Sequence, residues 1–264
     1  MKAASIKAAS IQFAGRPGEP EANRRKAAAL INEAADRGAT LLVLPEYWQA
    51  GFEPAQVSLH AETMRGLTVA LLRQLAKERK VFIIGGSLAE KRDGRLYNTV
   101  VAIDETGEIA VKYRKAHLAP QDEEQIFCPG DEWALTECAG LRLGLLNCYD
   151  IFFPEFARNL ALRGAQALVL PVMFAERIAE ARLLAQARAL ENSCFVIMAN
   201  QARDAAAGQS LIIAPDGRIL AEAGAGETVL LAELDIYNQA ALGRERNYLN
   251  QRRNILDEID NSQL

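Results

Sequence analysis

The chain has few of the residues that metal and redox chemistry draw on. Only two histidines, His60 and His117, occur in 264 residues. The four cysteines, Cys128, Cys138, Cys148 and Cys194, include no Cys-x-x-Cys spacing. Zinc sites need clustered Cys and His, so this pattern argues against a bound metal. Excess positive charge is also missing. The net charge is −4, which gives no electrostatic footprint for nucleic acid or an anionic membrane surface. No apolar run approaches the roughly 20 residues that a membrane helix needs. The opening residues, MKAASIKAASIQF, lack the apolar stretch of about 7–15 residues that marks a signal peptide. These absences favour a cytoplasmic chain with reduced cysteines. Aromatics are only 6% of a chain that is 50% hydrophobic, so Ala, Leu, Ile and Val must form the core.

What is present alternates between strand-like and helix-like segments, with no linker or low-complexity tract, as one domain over residues 1–264. In the first half, 5–13 reads as strand, 21–37 as helix, 40–44 as strand, 61–79 as helix and 80–84 as strand. A hairpin follows, 97–103 and 108–113 around Asp104-Glu105-Thr106-Gly107. The second half repeats the plan. Segments 141–147, 167–170 and 194–199 read as strands, 154–163 and 179–192 as helices. A hairpin then turns at Pro215-Asp216-Gly217, and 228–234 is a last strand. Two mixed sheets of this kind, each with helices on one face, bury most apolar surface by stacking sheet on sheet. The expected fold is α/β, a four-layer α-β-β-α sandwich.

Ligands of such sheets lie beyond the carboxyl ends of the strands. Three polar residues stand there. Cys148 follows the apolar run 143–146 and precedes a helix expected from Pro154. A free thiol of pKa about 8.5 is mostly protonated at neutral pH, so a nucleophilic cysteine needs a base or a positive environment. Taken alone it also fits a small buried hydrophobe. Glu46 follows Leu-Val-Leu-Pro. Pro45 cannot continue a central strand, so the carboxylate sits at the strand tip among Tyr47, Trp48 and Phe52. Partial burial there makes a glutamate a better base near neutrality. Lys115 closes the strand at Tyr113-Arg114-Lys115 and leads back into apolar residues. Singly, Glu46 and Lys115 fit solvated surface charges equally well.

Together these segments resemble the nitrilase superfamily of carbon–nitrogen hydrolases, in its amidase-like branch. Leu44-Pro45-Glu46, Tyr113-Arg114-Lys115-Ala116-His117-Leu118 and Asn147-Cys148-Tyr149-Asp150 with Phe153-Pro154-Glu155 look like its three catalytic motifs, in order. The stretches 187–192, 208–210 and 215–217 also fit. The resemblance implies a Glu46–Lys115–Cys148 triad acting without metal or organic cofactor. Glu46 would take the thiol proton. Lys115 and the Tyr149 backbone N–H would hold the oxyanion. His117 would brace the lysine loop. A second glutamate is implied in 119-APQDEEQ-125. Counting back from Pro129-Gly130 selects Glu123, while counting forward from Lys115 selects Asp122, and Glu124 is adjacent.

The implied reaction hydrolyses a small primary amide to acid and ammonia through a thioester on Cys148. N-carbamoyl compounds and nitriles are the alternative substrates, and a non-catalytic binding role is a third reading. Tyr47, Trp48, Tyr149, Phe152, Met173 and Phe174 are the candidate substrate contacts. An apolar pocket of this kind favours an aliphatic or aromatic amide over a strongly charged one. Many amidase-like members carry arginine where this chain has Phe152. The short stretch 200–208 would leave the pocket open. The resemblance also implies a homo-oligomer built on dimers, with the tail 235–264 crossing to a neighbouring subunit.

Overall fold

Alternating side chains sort each strand between two buried layers. The first strand, β1 (Ser5–Gln12), turns Ile6 and Ala8 to one apolar cluster and Ala9 and Ile11 to another. β2 (Leu41–Val43) does the same with Leu41 and Val43 against Leu42. Strands buried on both faces must lie between two other layers. A computed structural model describes residues 5–54, 57–202, 207–237, 239 and 248–253, and it shows those layers.

One six-stranded sheet has the order β12 (Thr228–Asp235), β1, β2, β3 (Phe82–Arg92), β4 (Arg95–Ile103), β5 (Ile109–Arg114). The other runs β11 (Ile219–Glu222), β10 (Leu211–Ile213), β9 (Phe195–Asn200), β8 (Ala167–Val172), β7 (Leu141–Leu145), β6 (Leu135–Cys138). In each, the three central strands are parallel and the outer pairings antiparallel. The helices α1 (Pro20–Asp36) and α2 (Leu67–Arg79) cover the first sheet through Ile31, Val69, Leu72 and Ala76. The helices α3 (Pro154–Leu162) and α4 (Ile178–Asn192) cover the second through Phe156, Leu160, Ala185 and Ala189. The sheets meet face to face, as in the hydrogen bond from Ser10 Oγ to the Met198 carbonyl (2.9 Å). The fold is the expected four-layer sandwich. No helix among the described residues is long and apolar enough to cross a membrane.

Some boundaries move. The helix expected over 61–79 starts at Leu67. Upstream, the Glu62 backbone pairs with Ala89 and Lys91 of β3 (2.9 and 2.8 Å), so those groups are spent on a sheet. The Glu62 carboxylate instead accepts the Thr68 backbone N–H (2.8 Å). β3 runs past Ile84 to Arg92 and pairs with β4 around Asp93-Gly94. β6 was not expected at all. Residues 203–206 and most of the tail 235–264 lie outside the described residues. Ile236 and Leu249 of that tail pack against the core of the same chain.

Candidate active site

The first carboxylate is held between the two sheets. Pro45 stops β2, and the Glu46 N–H donates to the Val172 carbonyl of β8 (3.3 Å). The Glu46 carbonyl accepts from Gln201 Nε2 (2.6 Å). Lys115 is placed by β5 and is 1% exposed. Its N–H donates to the Asn98 carbonyl (2.8 Å), and its carbonyl accepts from Gly130 N–H (2.9 Å). The buried ammonium donates to Glu46 Oε1 (2.9 Å) and Glu123 Oε2 (2.6 Å). Of the three acidic candidates after Lys115, the structure brings Glu123 to the ammonium. Asp122 lines the adjoining cavity, and Glu124 is exposed.

Two further side chains fix the carboxylates. Asn98 of β4 donates from Nδ2 to Glu46 Oε1 (2.9 Å) and Glu123 Oε1 (2.7 Å). Its Oδ1 accepts from Asn147 Nδ2 (2.9 Å). Tyr47 donates its hydroxyl to Glu123 Oε1 (2.5 Å).

Cys148 follows β7 and Asn147, and its backbone turns into the left-handed region (φ +46°). That conformation costs a non-glycine residue about 1–3 kcal/mol, so the surroundings must impose it. They do so through Asp150, which is fully buried. Asp150 Oδ2 accepts from Asn147 N–H (2.8 Å) and the Tyr113 hydroxyl (2.7 Å). Oδ1 accepts from His117 N–H (3.1 Å) and lies 2.8 Å from His117 Nδ1. Arg188 of α4 donates to the Ile151 carbonyl (3.1 and 2.9 Å). The lysine loop and the cysteine turn are thus locked together, with His117 stacked on Phe153 (3.7 Å). A short 3₁₀ turn, Cys148–Phe152, separates the thiol from α3. The helical N–H groups nearest the sulfur therefore belong to that turn and not to α3.

The electrostatics follow from burying two carboxylates, one ammonium and one thiol together. Burial pulls Lys115 down, but Glu46, Cys148 and Glu123 overcome it and hold the ammonium protonated. Burial pushes Glu123 up, but Lys115 and its hydrogen bonds bring it below the usual carboxylate value. Glu46 is raised by burial and by the charge of Glu123, against Lys115. Cys148 is raised well above an ordinary thiol by burial and by the charge of Glu46. The resting pair is a neutral thiol beside a carboxylate of elevated pKa.

These groups open into a cavity of about 400 Å³, with Tyr47, Phe52, Tyr149, Met173, Phe174 and Arg177 on its walls. Two sequence candidates are not on the lining. Trp48 is fully buried, with Nε1 donating to the Gly85 carbonyl (2.7 Å) and its ring near Phe13 (5.9 Å). Tyr47 takes a positive φ (52°), and the next side chain lies in the core beneath the helices. Trp48→Phe is therefore expected to cost about 1–3 kcal/mol in stability, through the orphaned Gly85 carbonyl. Urea denaturation measures it. Phe152 stands behind the wall, 5.1 Å from Tyr149 and 5.9 Å from Phe174. Sequence reasoning missed Asn98, Asn147 and Arg177. Asn98 did leave a signal, since asparagine is disfavoured within a strand.

A carbon–nitrogen hydrolase family model matches residues 7–242. The chain belongs to the carbon–nitrogen hydrolase family. It is 36% identical to the omega-amidase NIT2-A of Xenopus laevis, over 97% of this chain and 98% of that one. It is also 36% identical to the 2-oxoglutaramate amidase of Bacillus subtilis strain 168, over 87% and 91%. Among solved structures, this carbon–nitrogen hydrolase resembles Saccharomyces cerevisiae Nit3, a member of branch 10 of the nitrilase superfamily. The TM-score is 0.89 at 30% identity, covering 95% and 97% of the two chains. An amidase double mutant from Nesterenkonia sp. AN1, in complex with acrylamide, matches at TM-score 0.84 and 27% identity, over 97% of both chains.

Asn98→Ala is expected to lower kcat by about 10–100-fold, in line with the loss of two hydrogen bonds to charged groups. A general base at Glu46 would have to be ionised, so activity is expected to fall as pH drops through its elevated pKa. Removing a donor that favours the carboxylate raises that pKa, so the acid limb moves to higher pH. A kcat/KM–pH profile reads both effects.

Proposed function

We propose that this protein is a cysteine-dependent amidase that converts a small primary amide to a carboxylic acid and ammonia. The observation that carries the reading is the buried Lys115 ammonium gripped by Glu46 and Glu123, with Cys148 on the same cavity as all three. Glu46 takes the thiol proton as sulfur attacks the amide carbon. Lys115 and the Tyr149 N–H hold the tetrahedral oxyanion, and one such donor is worth roughly 3–4 kcal/mol. Glu46 passes the proton to departing ammonia, leaving a thioester on Cys148. It then takes a proton from water, and the acid leaves as the thiol reforms. Glu123 keeps Lys115 oriented and charged throughout. The names of the omega-amidase and 2-oxoglutaramate amidase relatives favour an amide at the end of a short acid chain.

The test is ammonia release from primary amides, N-carbamoyl amino acids and nitriles, with Cys148→Ala in parallel. Release from amides that the variant loses supports the reading. Release chiefly from carbamoyl compounds or nitriles replaces it with a sister activity.

The reading includes one catalytic domain over the chain, a cytoplasmic setting and a dimer-based assembly. Exposed Leu162 of α3 and Leu183 and Leu190 of α4 support a partner on that outer face. A monomer by light scattering would remove it.

A further inference from the structure

The reacting groups reach the cavity from opposite sheets. Glu46 follows β2, Asn98 lies in β4, and Lys115 and Glu123 follow β5, all on the first sheet. Cys148 and Tyr149 follow β7, and Met173 and Phe174 follow β8, on the second. Proton transfer between Glu46 and Cys148 therefore depends on how the two sheets are set against each other. The apolar side chains between the sheets oppose separation, but their attraction has no direction. Directional ties must fix the register.

The lysine loop has such ties, from Tyr113 and His117 to Asp150, and Asn98 has one from Asn147. Glu46 is tied through its main chain. Its N–H donates to the Val172 carbonyl at 3.3 Å, just beyond the usual range of a hydrogen bond. Its carbonyl accepts from Gln201 Nε2 at 2.6 Å. Gln201 stands one residue beyond β9, on the second sheet, and is 1% exposed. Its side chain reaches across to the first sheet. Besides the bond to Glu46, Oε1 accepts from the Gly15 N–H (3.2 Å), in the loop after β1. That loop presses on the turn that carries Glu46, since a Cβ at Gly15 would come within 2.3 Å of the Trp48 carbonyl oxygen.

The Gln201 main chain is anchored on its own sheet. Its N–H donates to Asn200 Oδ1 (3.0 Å), and its carbonyl accepts from Gly208 N–H (2.9 Å). Asn200 is fully buried, and the same Oδ1 accepts from the Phe174 N–H (2.8 Å). Asn200 Nδ2 donates to the Phe174 and Gly208 carbonyls (2.8 and 2.6 Å). Phe174 lines the cavity with Cys148. The dipeptide Asn200-Gln201 thus joins the cavity wall on the nucleophile's sheet to the main chain of the base.

We propose that Gln201 is a positioning residue that holds the Glu46 main chain against the second sheet and so sets the base at reacting distance from the sulfur. The inference rests on the amidase reading. It gives an aligning role to the stretch 200–208, in which the sequence marks only a short loop beside an open pocket. Without the tie, the Glu46 carboxylate keeps Lys115 and Asn98, which belong to its own sheet. What is lost is alignment across the sheets, and a displacement of about 1 Å at a reacting group costs about 100-fold in rate.

The experiment measures ammonia release by the full chain from a primary amide that the wild type turns over. Gln201→Met keeps the volume and removes the bonds to Glu46 and Gly15. It is expected to lower kcat by about 10–100-fold, with KM within about twofold of wild type. Gln201→Asn keeps the amide on a side chain one carbon shorter and should recover part of kcat. Gln12→Met is the control. Gln12 is an equally buried amide that donates to the Gly224 and Gly226 carbonyls (2.6 Å each) and accepts from the Ser210 N–H (2.8 Å), none of them on the cavity lining. It should lower the urea midpoint as Gln201→Met does and keep kcat near that of wild type. Equal loss of kcat in the two Met variants makes the role merely structural and overturns the proposal. Wild-type kcat in Gln201→Met overturns it too and leaves the amidase reading standing. If Gln201→Met does not fold, Gln201→Asn decides: a lowered kcat at unchanged KM supports the tie, and a wild-type kcat overturns it. A wild type that releases no ammonia from any amide and takes no acyl group on Cys148 overturns the amidase reading, and this inference with it.

Discussion

Lys115→Met is expected to lower kcat/KM by about 10⁴-fold or more while the chain still folds. The size comes from two losses in one substitution. An oxyanion donor disappears, worth about 10²–10³-fold. The base disappears with it, because Glu46 and Glu123 are both bonded to Asn98 Nδ2 (2.9 and 2.7 Å) and cannot both stay ionised without the ammonium between them. One takes up a proton, and a protonated Glu46 accepts none from the thiol; loss of general-base catalysis is worth about 10²–10⁴-fold. Stability follows the same logic. Breaking a buried ion pair from one side costs about 3–5 kcal/mol. In the variant both carboxylates have raised pKa values in the folded state. Their penalty is then smallest at acid pH and grows as pH rises through those values. Denaturation of Lys115→Met against wild type at two pH values should show the gap widening toward neutrality. A gap that narrows, or turnover near wild type, contradicts the assigned role.

Cys148→Ala is expected to remove turnover almost entirely, by about 10⁵-fold or more, as loss of the nucleophile in a cooperating set does. Its stability should equal or exceed that of the wild type. The positive φ is imposed by Asp150 and Arg188, which the substitution leaves in place, and alanine tolerates it no worse than cysteine. What goes is a small buried thiol that is neutral, its pKa driven up by burial and by Glu46, so no charge is removed from the site. A melting curve and ammonia release on the same preparation separate this outcome from misfolding.

The sandwich was legible because its signals are local. Alternation in 5–13, the apolar run 40–44 stopped by Pro45, helical periodicity in 21–37 and 179–192, and the turns at 104–107 and 215–217 each act within a few residues. Glu46 and Cys148 each stand just past an apolar run that must end and Lys115 at the end of a strand, and the structure brings all three to one cavity. What escaped depends on distant partners. Glu62 looks like part of a helix until β3 arrives to pair with its backbone. Trp48 looks like a pocket residue until Tyr47 takes its left-handed turn and Gly85 offers a carbonyl. Asn98 joins Glu46, 52 residues away, to Glu123, 25 residues away, a convergence that no spacing rule contains. Arg177 reaches the cavity lining over the Phe152 ring, 25 residues back in the chain.

The central claim is that one sulfur carries the acyl group, and intact-protein mass after a rapid acid quench tests it most directly. Wild type mixed with a turned-over amide should gain the mass of its acyl group, and hydroxylamine should remove it. Cys148→Ala should show no gain and release no ammonia. Turnover of the amide by Cys148→Ala, or an acyl group located on any other residue, would contradict the account.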